Sequence, residues 1–235
     1  MITIDKFLEG KIHLKQFEKG LRATSDAVLC AAAVPLKKGD TLLDVGAGNG
    51  VIGLCAYART PCQIHAIEKQ PDLIQLIQDN ARLNHIPLTV HPMDIFKEDS
   101  LKGQQFHQVV SNPPFYDTTG KARTNPQQKI AYHADFDLEK WLNFCLKHLR
   151  AKGTFTFIHQ PSQLGLILNI IEKKLGHIEI IPILPKKDSP ALRVIIRGKM
   201  GDKTPLKILP PFIMHQKNNR PTPQADAVLR QGHPL

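Results

Sequence analysis

The stretch TLLDVGAGNG, residues 41–50, decides the fold that this sequence predicts. Residues 41–45 form a short apolar run of the kind found in buried strands, and glycine follows at positions 46, 48 and 50. Glycine lets the backbone turn sharply and approach a ligand closely because it carries no Cβ. A buried strand, a glycine-rich turn and a following helix therefore predict an α/β fold with a ligand site at the turn.

Strands and helices alternate outward from this stretch, between residues 41 and 182. Strands are predicted at residues 41–45, 64–67, 88–90, 108–111, 154–158, 178–181 and 194–196. Helices are predicted at residues 24–34, 51–58, 71–83, 138–149 and 162–175. Alternation of this kind indicates a mostly parallel sheet with helices on both faces. Residues 116–135 look like a long irregular loop, which is uncommon unless the loop has a function.

Length and composition indicate an ordinary globular protein of 235 residues, 42% hydrophobic and 22% charged. We expect residues 1–198, including a basic segment at 1–22, to form one domain, with the basic, proline-rich residues 199–235 as its surface appendix. No apolar run approaches the roughly 20 residues of a membrane span, and the N-terminus lacks the apolar stretch of a signal peptide. We therefore expect a cytoplasmic protein that does not bind a membrane.

The four cysteines and eleven histidines are dispersed along the chain. No CxxC motif occurs and no spacing matches a set of metal ligands, so we expect reduced thiols and no metal. Lysine and arginine number 31 against 21 aspartates and glutamates, which gives a net charge of +10. Because excess positive charge raises the affinity for polyanions through phosphate contacts, the composition favours a nucleic-acid partner.

Acidic residues follow the second and third predicted strands, where ligands bind in parallel sheets. Glu68 comes twenty residues after Gly48 and can accept both hydroxyls of a ribose, and Asp94 can reach the exocyclic amine of an adenine. A nicotinamide fingerprint, G-x-G-x-x-G, is excluded because position 51 is a valine, and no Walker sequence for phosphoryl transfer is present.

The fourth predicted strand leads into Ser111-Asn112-Pro113-Pro114-Phe115-Tyr116, which we call the ledge. Each proline has a fixed φ and pushes the residue before it toward extended geometry. The result is a stiff segment that presents the Asn112 side chain, backbone carbonyls and an aromatic face. That combination suits a planar group carrying an amine, although an ordinary exit from strand to loop uses the same residue types.

Together, residues 44–50, Glu68, Asp94 and the Asn-Pro-Pro-Phe motif resemble the class I S-adenosylmethionine-dependent methyltransferases that methylate amino groups. The resemblance spans about residues 15–200 and implies a Rossmann-like, seven-stranded sheet preceded by a helix. It implies S-adenosylmethionine as the cofactor and S-adenosylhomocysteine as its product. The cofactor-binding residues that it implies are Asp26, Asp44, Gly46, Ala47, Gly48, Glu68, Lys69, Asp94, Ile95 and Asn112.

Residues 20–29, GLRATSDAVL, are similar to a segment of the bacterial tRNA (adenine-N6)-methyltransferases that modify position 37, next to the anticodon, of a valine tRNA. Here Ser25 separates Thr24 from Asp26, and Cys30 stands where leucine is common. The catalytic residues implied by the resemblance are Asn112, Pro113 and Phe115. The residues implied to contact the tRNA are Pro114, Tyr116, Arg22, Lys121 and Arg123.

Three alternatives are compatible with the same motifs. A protein glutamine presents the same NH2 geometry for N5-methylation. Guanine-N2 methyltransferases of rRNA also carry Asn-Pro-Pro-Phe, but commonly with histidine where this chain has Tyr116. An RNA-binding module could keep the cofactor fold without activity. The positive charge favours RNA, and the intact acidic residues favour an enzyme. The sequence leaves the oligomeric state open, with a monomer favoured.

Overall fold

The computed structural model describes residues 1–20, 22–114 and 136–235. The strands in these ranges are β1 (Ile2–Phe7), β2 (Ile12–Phe17), β3 (Thr41–Val45), β4 (Gln63–Glu68), β5 (Leu88–Pro92), β6 (Phe106–Ser111), β7 (Leu149–His159), β8 (Leu175–Leu184), β9 (Arg193–Met200), β10 (Lys207–Ile208) and β11 (Phe212–Ile213). The helices are α1 (Ser25–Ala33), α2 (Val51–Arg59), α3 (Pro71–Leu83), α4 (Leu138–Lys147), α5 (Leu164–Ile171) and α6 (Pro223–Asp226). None of these described helices is long and apolar enough to cross a lipid bilayer.

Strands β3 to β11 form one sheet, in the order β5-β4-β3-β6-β7-β9-β8, with β10 and β11 along the outer edge of β8. Within this described sheet, β9 runs antiparallel to β7 and β8, and the other pairings are parallel. The seven long strands, the mostly parallel pairing and the helices confirm the predicted α/β fold class. The short strands β10 and β11 are an addition that the sequence does not predict. The strand order reverses between β3 and β6, and sheets of this type bind ligands at such a point.

Both faces of the sheet are covered, because neighbouring residues of a strand point to opposite sides. Leu42 and Val110 belong to the hydrophobic cluster that contains α1 and α2. Leu43 and Val109 belong to the cluster that contains α4 and α5. All four side chains are fully buried. This two-sided burial explains why the central strands are almost continuously apolar in sequence.

The N-terminus differs from the sequence-based prediction. The sequence predicts only a basic segment at residues 1–22, but β1 and β2 form an antiparallel hairpin joined by a turn at Leu8–Gly10. On β2, the buried side chains of Ile12, Leu14 and Gln16 alternate with partly exposed ones. That alternation is the usual signal of a half-buried strand and could have revealed the hairpin.

Two element boundaries also differ from the prediction. β7 begins at Leu149 rather than at residue 154, since its first residue pairs with Phe106 and a register shift on β6 follows. β8 begins at Leu175, whereas the sequence predicts a helix over residues 162–175, ending just before Gly176, and a strand only from residue 178. A Cβ at Gly176 would lie 2.2 Å from the backbone oxygen of Asp202. This glycine therefore permits a close approach of two backbone segments and does not cap a helix.

The C-terminal segment, residues 199–235, follows the outer edge of β8 and returns to α1. The Leu235 N–H donates to the carbonyl oxygen of Ala32 at 2.9 Å. The segment contributes three buried side chains to the cluster around α1 and α2, those of Phe212, Ala225 and Val228. These contacts make the segment part of the hydrophobic core on that face.

Candidate active site

The carboxyl ends of β3 and β6 lie side by side where the strand order reverses. Asp44 of β3 is in register with Val110 of β6, so the residues that follow these strands leave the sheet next to each other. The glycine turn, residues 46–50, follows β3, and the ledge follows β6. The ends of β4 and β5 lie beyond β3 at the same edge. This edge therefore gathers the residues that the sequence assigns to the cofactor and to the target amine.

The glycine turn crosses from β3 to α2 in a conformation that requires glycine. Gly46 has φ 75° and Gly50, the residue before α2, has φ 84°, both in the left-handed region. The N–H groups of Gly46 and Ala47 donate to the carbonyl oxygen of Ile67, at 3.0 and 2.9 Å. These bonds hold the start of the turn against the end of β4.

Glu68, the last residue of β4, is buried and its carboxylate is well supplied with donors. Oε2 accepts the Gly48 N–H at 2.9 Å, and Oε1 accepts the N–H groups of Lys69 and Gln70 at 2.9 and 3.0 Å. Burial raises the pKa of Glu68, and these donors and the Lys69 charge oppose the rise. A carboxylate has about four acceptor positions, and these three donors leave one position for a ribose hydroxyl. The sequence predicts that Glu68 accepts both hydroxyls of the ribose.

Asp44 is fully buried, and neither of its carboxyl oxygens has a hydrogen-bond partner among the described residues. Burial raises the pKa of Asp44 from 3.8 to about 7. The negative charge of Glu68 raises this pKa further. The Gly53 N–H lies close enough to lower it, but does not form a hydrogen bond with Asp44. A buried carboxylate without a partner is costly. Perturbed groups of this kind, when they lie at a ligand-binding edge, mark candidate functional sites.

Asn112, the first residue after β6, carries a second acceptor without a partner. Its Oδ1 is buried and has no donor among the described residues. Leaving such a group unsatisfied costs about 1–3 kcal/mol. Pro113 is buried and Pro114 is partly buried, so the described part of the ledge is packed against the protein. Four predicted site residues lie outside the described part of the chain, and their roles stay predictions: Phe115, Tyr116, Lys121 and Arg123.

Trp141 of α4 joins the glycine turn to the ledge, a contact that the sequence analysis missed. Its Nε1 donates to Ser111 Oγ at 3.0 Å, and the Ser111 hydroxyl donates to the carbonyl oxygen of Val45 at 2.8 Å. The indole ring also lies over Gly46, where a Cβ would come within 2.7 Å of a ring carbon. Trp141 has the helical spacing of a core residue, so no sequence signal distinguishes this role.

Charge and packing join the ends of β4 and β5. Asp94 Oδ1 accepts the Phe96 N–H at 3.1 Å, and Asp94 Oδ2 lies 3.6 Å from the Nζ of Lys69. The Nζ of Lys97 lies 4.0 Å from the same oxygen. Ile95 packs against the apolar cluster beneath α4. The predicted cofactor residues Lys69, Asp94 and Ile95 are therefore brought together, with Asp94 already paired to lysines of this chain.

Two other predicted contact residues have partners within the protein. Asp26, in the first turn of α1, accepts a hydrogen bond from Arg193 Nε at 2.8 Å. Arg22 Nη1 donates to the Phe17 carbonyl oxygen at 3.0 Å, and Nη2 pairs with Asp5 of the hairpin. A cofactor contact by Asp26 and a phosphate contact by Arg22 must compete with these ion pairs, and both roles stay predictions.

Two curated relatives of the chain have the same name. A tRNA1(Val) (adenine(37)-N6)-methyltransferase from Actinobacillus succinogenes is 26% identical over 194 residues, which cover 81% of each chain. An enzyme of the same name from Shewanella woodyi is 28% identical over 175 residues, or 71% of each chain.

Two solved structures with a similar architecture are described as methyltransferases. A structure described as a predicted O-methyltransferase from Agrobacterium tumefaciens has a TM-score of 0.72 at 22% identity and covers 89% of this chain and 97% of its own. A methyltransferase from Pyrococcus furiosus has a TM-score of 0.60 at 18% identity, covering 81% and 90%. At these identities the likeness establishes the fold. The family of the chain follows from its sequence: residues 23–181, more than half of its length, match the model for the methyltransferase small domain, and the chain belongs to that family.

Proposed function

We propose that the protein transfers a methyl group from S-adenosylmethionine to N6 of an adenine in a tRNA, at position 37 next to the anticodon. The observation that carries this proposal is the pair of buried acceptors without partners among the described residues, the Asp44 carboxylate and Asn112 Oδ1, at adjacent strand ends. A carboxylate suits a cation, and an amide oxygen suits the N–H of an amine. The names of the relatives at 26% and 28% identity support the choice of base.

The residues around the glycine turn fit S-adenosylmethionine. The unpaired Asp44 carboxylate can meet the positively charged methionine end, and Glu68 keeps one acceptor position for a ribose hydroxyl. Asp94 and Ile95 lie beside them, where the adenine end would bind. When bound, the cofactor supplies an electrophilic methyl group on a sulfonium. The remaining residues proposed to shape the pocket are Asp26, Gly46, Ala47, Gly48 and Lys69.

Asn112 and Pro113 are proposed to hold the target amine. The lone pair of an adenine N6 is delocalised into the ring, which makes the nitrogen a weak nucleophile. Asn112 Oδ1 and the Pro113 carbonyl oxygen accept its two N–H bonds and direct the lone pair toward the methyl group. Positioning and electrostatics then provide the rate enhancement. The methylated nitrogen is acidic and releases its proton to solvent. Phe115 is proposed to stack on the base, a contact worth about 1–3 kcal/mol.

A base in an RNA loop suits this pocket because it is unpaired and can be turned out of the stack. The net charge of +10 supports a polyanionic partner. A tRNA substrate also supports a cytoplasmic location. The residues proposed to contact the tRNA are Arg22, Pro114, Tyr116, Lys121 and Arg123.

The proposed organisation is a single methyltransferase domain of residues 1–198 with residues 199–235 as its appendix. Packing of the C-terminal segment against α1 supports one domain over two. Methyl transfer from a sulfonium needs neither a metal ion nor a membrane, and we propose neither. A monomer carries every residue that the proposal uses.

Nucleoside mass spectrometry tests the proposal. Purified protein is incubated with S-adenosylmethionine and an unmodified valine tRNA transcript that carries adenine at position 37. We expect N6-methyladenosine in this transcript and none in a control transcript that carries guanine at that position. Calorimetric titration with S-adenosylmethionine in the absence of RNA measures cofactor binding separately.

Each alternative has its own product in the same experiment. N2-methylguanosine in rRNA fragments would replace the proposed substrate with guanine, and methylglutamine in a protein substrate would replace it with a polypeptide. RNA binding without cofactor binding and without any methylated product would overturn the assignment as an enzyme.

A further inference from the structure

We infer that the N-terminal hairpin is a positioning element of the cofactor site, and that it acts through Asn80 of α3 and Gln16 of β2. Both are buried polar side chains that contact the glycine turn, and no step of the proposed reaction uses them. The inference rests on the proposed function, because it concerns the affinity for S-adenosylmethionine.

Two asparagines of α3 cover the edge of β2 that faces away from β1. Asn80 accepts the Lys15 N–H at 2.6 Å and donates to the Lys15 carbonyl oxygen at 3.0 Å. Asn84 makes the same pair of bonds with His13, at 2.8 and 2.7 Å. Residues four apart on a helix are about 6 Å apart along its axis, and residues two apart on a strand are about 6.6 Å apart. The spacing of the two side chains therefore matches that of Lys15 and His13, and they bond the backbone of β2 as a neighbouring strand would.

Asn80 differs from Asn84 in one contact. Asn80 Nδ2 also donates to the backbone oxygen of Asn49, in the glycine turn, at 3.0 Å. The second Nδ2 bond of Asn84 goes to the backbone oxygen of Asn80 at 2.7 Å and stays within α3. Of these two asparagines, Asn80 alone connects the docked hairpin to the turn, and its side chain is fully buried.

Gln16 makes a second connection from the hairpin to the same residue. Its Oε1 accepts the Asn49 Nδ2 at 3.1 Å and the Ala23 N–H at 2.6 Å, and its Nε2 donates to Asp5 at 2.6 Å. Asn49 is thus held at its backbone oxygen and at its side chain. The neighbouring residue, Gly48, donates its N–H to Glu68.

Holding Asn49 in place restricts the whole turn, because glycines lie on both sides of it. Glycine loses more conformational entropy on ordering than any other residue. A turn that is ordered before the ligand arrives avoids part of that cost at binding. The hairpin is therefore expected to raise the affinity for the cofactor without changing the rate of methyl transfer once the cofactor is bound.

The matched pair Asn80→Ala and Asn84→Ala tests this inference. Each variant loses two bonds to β2, so we expect the melting temperature to fall in both, and to fall further in Asn80→Ala because its side chain is fully buried and also bonds the turn. Calorimetry should show a Kd for S-adenosylmethionine about fivefold to tenfold higher for Asn80→Ala, the effect of losing one buried hydrogen bond, and no comparable change for Asn84→Ala. At saturating cofactor, kcat should stay near the wild-type value for both variants.

Amide hydrogen exchange of residues 46–50, measured on the cofactor-free protein, gives a second readout. We expect faster exchange in Asn80→Ala, and also in Asn49→Ala, which removes the bond to Gln16 while leaving the hairpin docked. Asn49→Ala takes the place of Asn80→Ala if the latter does not fold.

Two results overturn the inference: equal cofactor affinity in the Asn80→Ala and Asn84→Ala proteins, or exchange at the turn that matches wild type in both Asn80→Ala and Asn49→Ala. If the wild-type protein does not bind S-adenosylmethionine, the proposed function fails, and the exchange measurement still decides whether the hairpin orders the turn.

Discussion

Glu68 and Asp94, at the ends of β4 and β5, have oxygens that are occupied by backbone N–H groups and lysines of the same chain. Asp44 and Asn112, at the ends of the adjacent strands β3 and β6, have buried oxygens without partners among the described residues. Burying an acceptor without a partner opposes folding. The packing of the rest of the protein therefore has to offset the cost of burying Asp44 and Asn112. The outer strand ends are therefore organised for rigidity, and the central ones are left able to accept hydrogen bonds or charge from ligands.

The largest effect is expected for Asn112→Ala, which removes one of the two acceptors at the central strand ends. Turnover with labelled S-adenosylmethionine should fall about 10²–10³-fold, as it does when one positioned polar group is removed from an active site. Cofactor affinity, measured by calorimetry, should fall far less than turnover, because the main proposed role of Asn112 is to hold the amine and it is one of ten residues implied to contact the cofactor. Turnover near the wild-type value would show that the open acceptor has no role in transfer.

Gly46→Ala should destabilise the central side of the site. The added Cβ would lie 2.7 Å from the Trp141 ring, at a residue with φ 75°. Overpacking and left-handed strain together predict a loss of about 3 kcal/mol in the free energy of unfolding, measured by urea denaturation. Trp141→Phe removes the outer ring atoms, so the double variant should recover part of the loss. Strictly additive losses would mean that the indole is not the obstacle.

Glu68→Gln tests the outer strand ends, where the acceptors already have donors from the same chain. The amide NH2 meets backbone N–H groups that need an acceptor, so the free energy of unfolding should fall by about 2 kcal/mol. Cofactor affinity should fall as well because the Gly48 N–H loses its anchor. Denaturation and calorimetry on one preparation measure both quantities. Unchanged stability would contradict the view that Glu68 organises the turn.

Asp44→Asn should have the opposite effect on stability. Removing a buried, unpaired charge should raise the free energy of unfolding by about 1–3 kcal/mol at pH 8. The gain should be complete above about pH 7, where Asp44 is ionised in the folded protein, and should vanish below about pH 4, where the carboxyl is protonated in both the folded and unfolded chains.

The affinity of the Asp44→Asn variant for the cationic cofactor should nevertheless fall, by about tenfold. Binding to the wild-type protein near pH 7 should release protons, since the bound cation favours the ionised carboxylate. Calorimetry in buffers of different ionisation enthalpy measures this release. Lower stability of the variant at pH 8 would show that Asp44 has a partner that stabilises its charge.

Much of the fold could be predicted because its signals are local. Apolar runs, the glycine turn and the helix pattern of α3 each depend on a few neighbouring residues, and their order in the chain limits the sheet topology. Boundaries failed where long-range pairing extended an element, as at the start of β7 beside Phe106. The basic composition of residues 1–22 does not predict the hairpin, although Ile12 and Leu14 carry its alternating pattern.

The site divides in the same way. By itself, the sequence determined which residues end the strands, from Asp44 and Glu68 to the ledge at Asn112, because strand order and residue type are written locally. Only the tertiary structure decided which acceptors already have donors within the chain, since the donors to Glu68 come from two loops. It also decided that the ring of Trp141, ninety-five positions away, lies over Gly46. Hydrogen-bond saturation depends on burial and on distant neighbours, and neither can be read from adjacent residues.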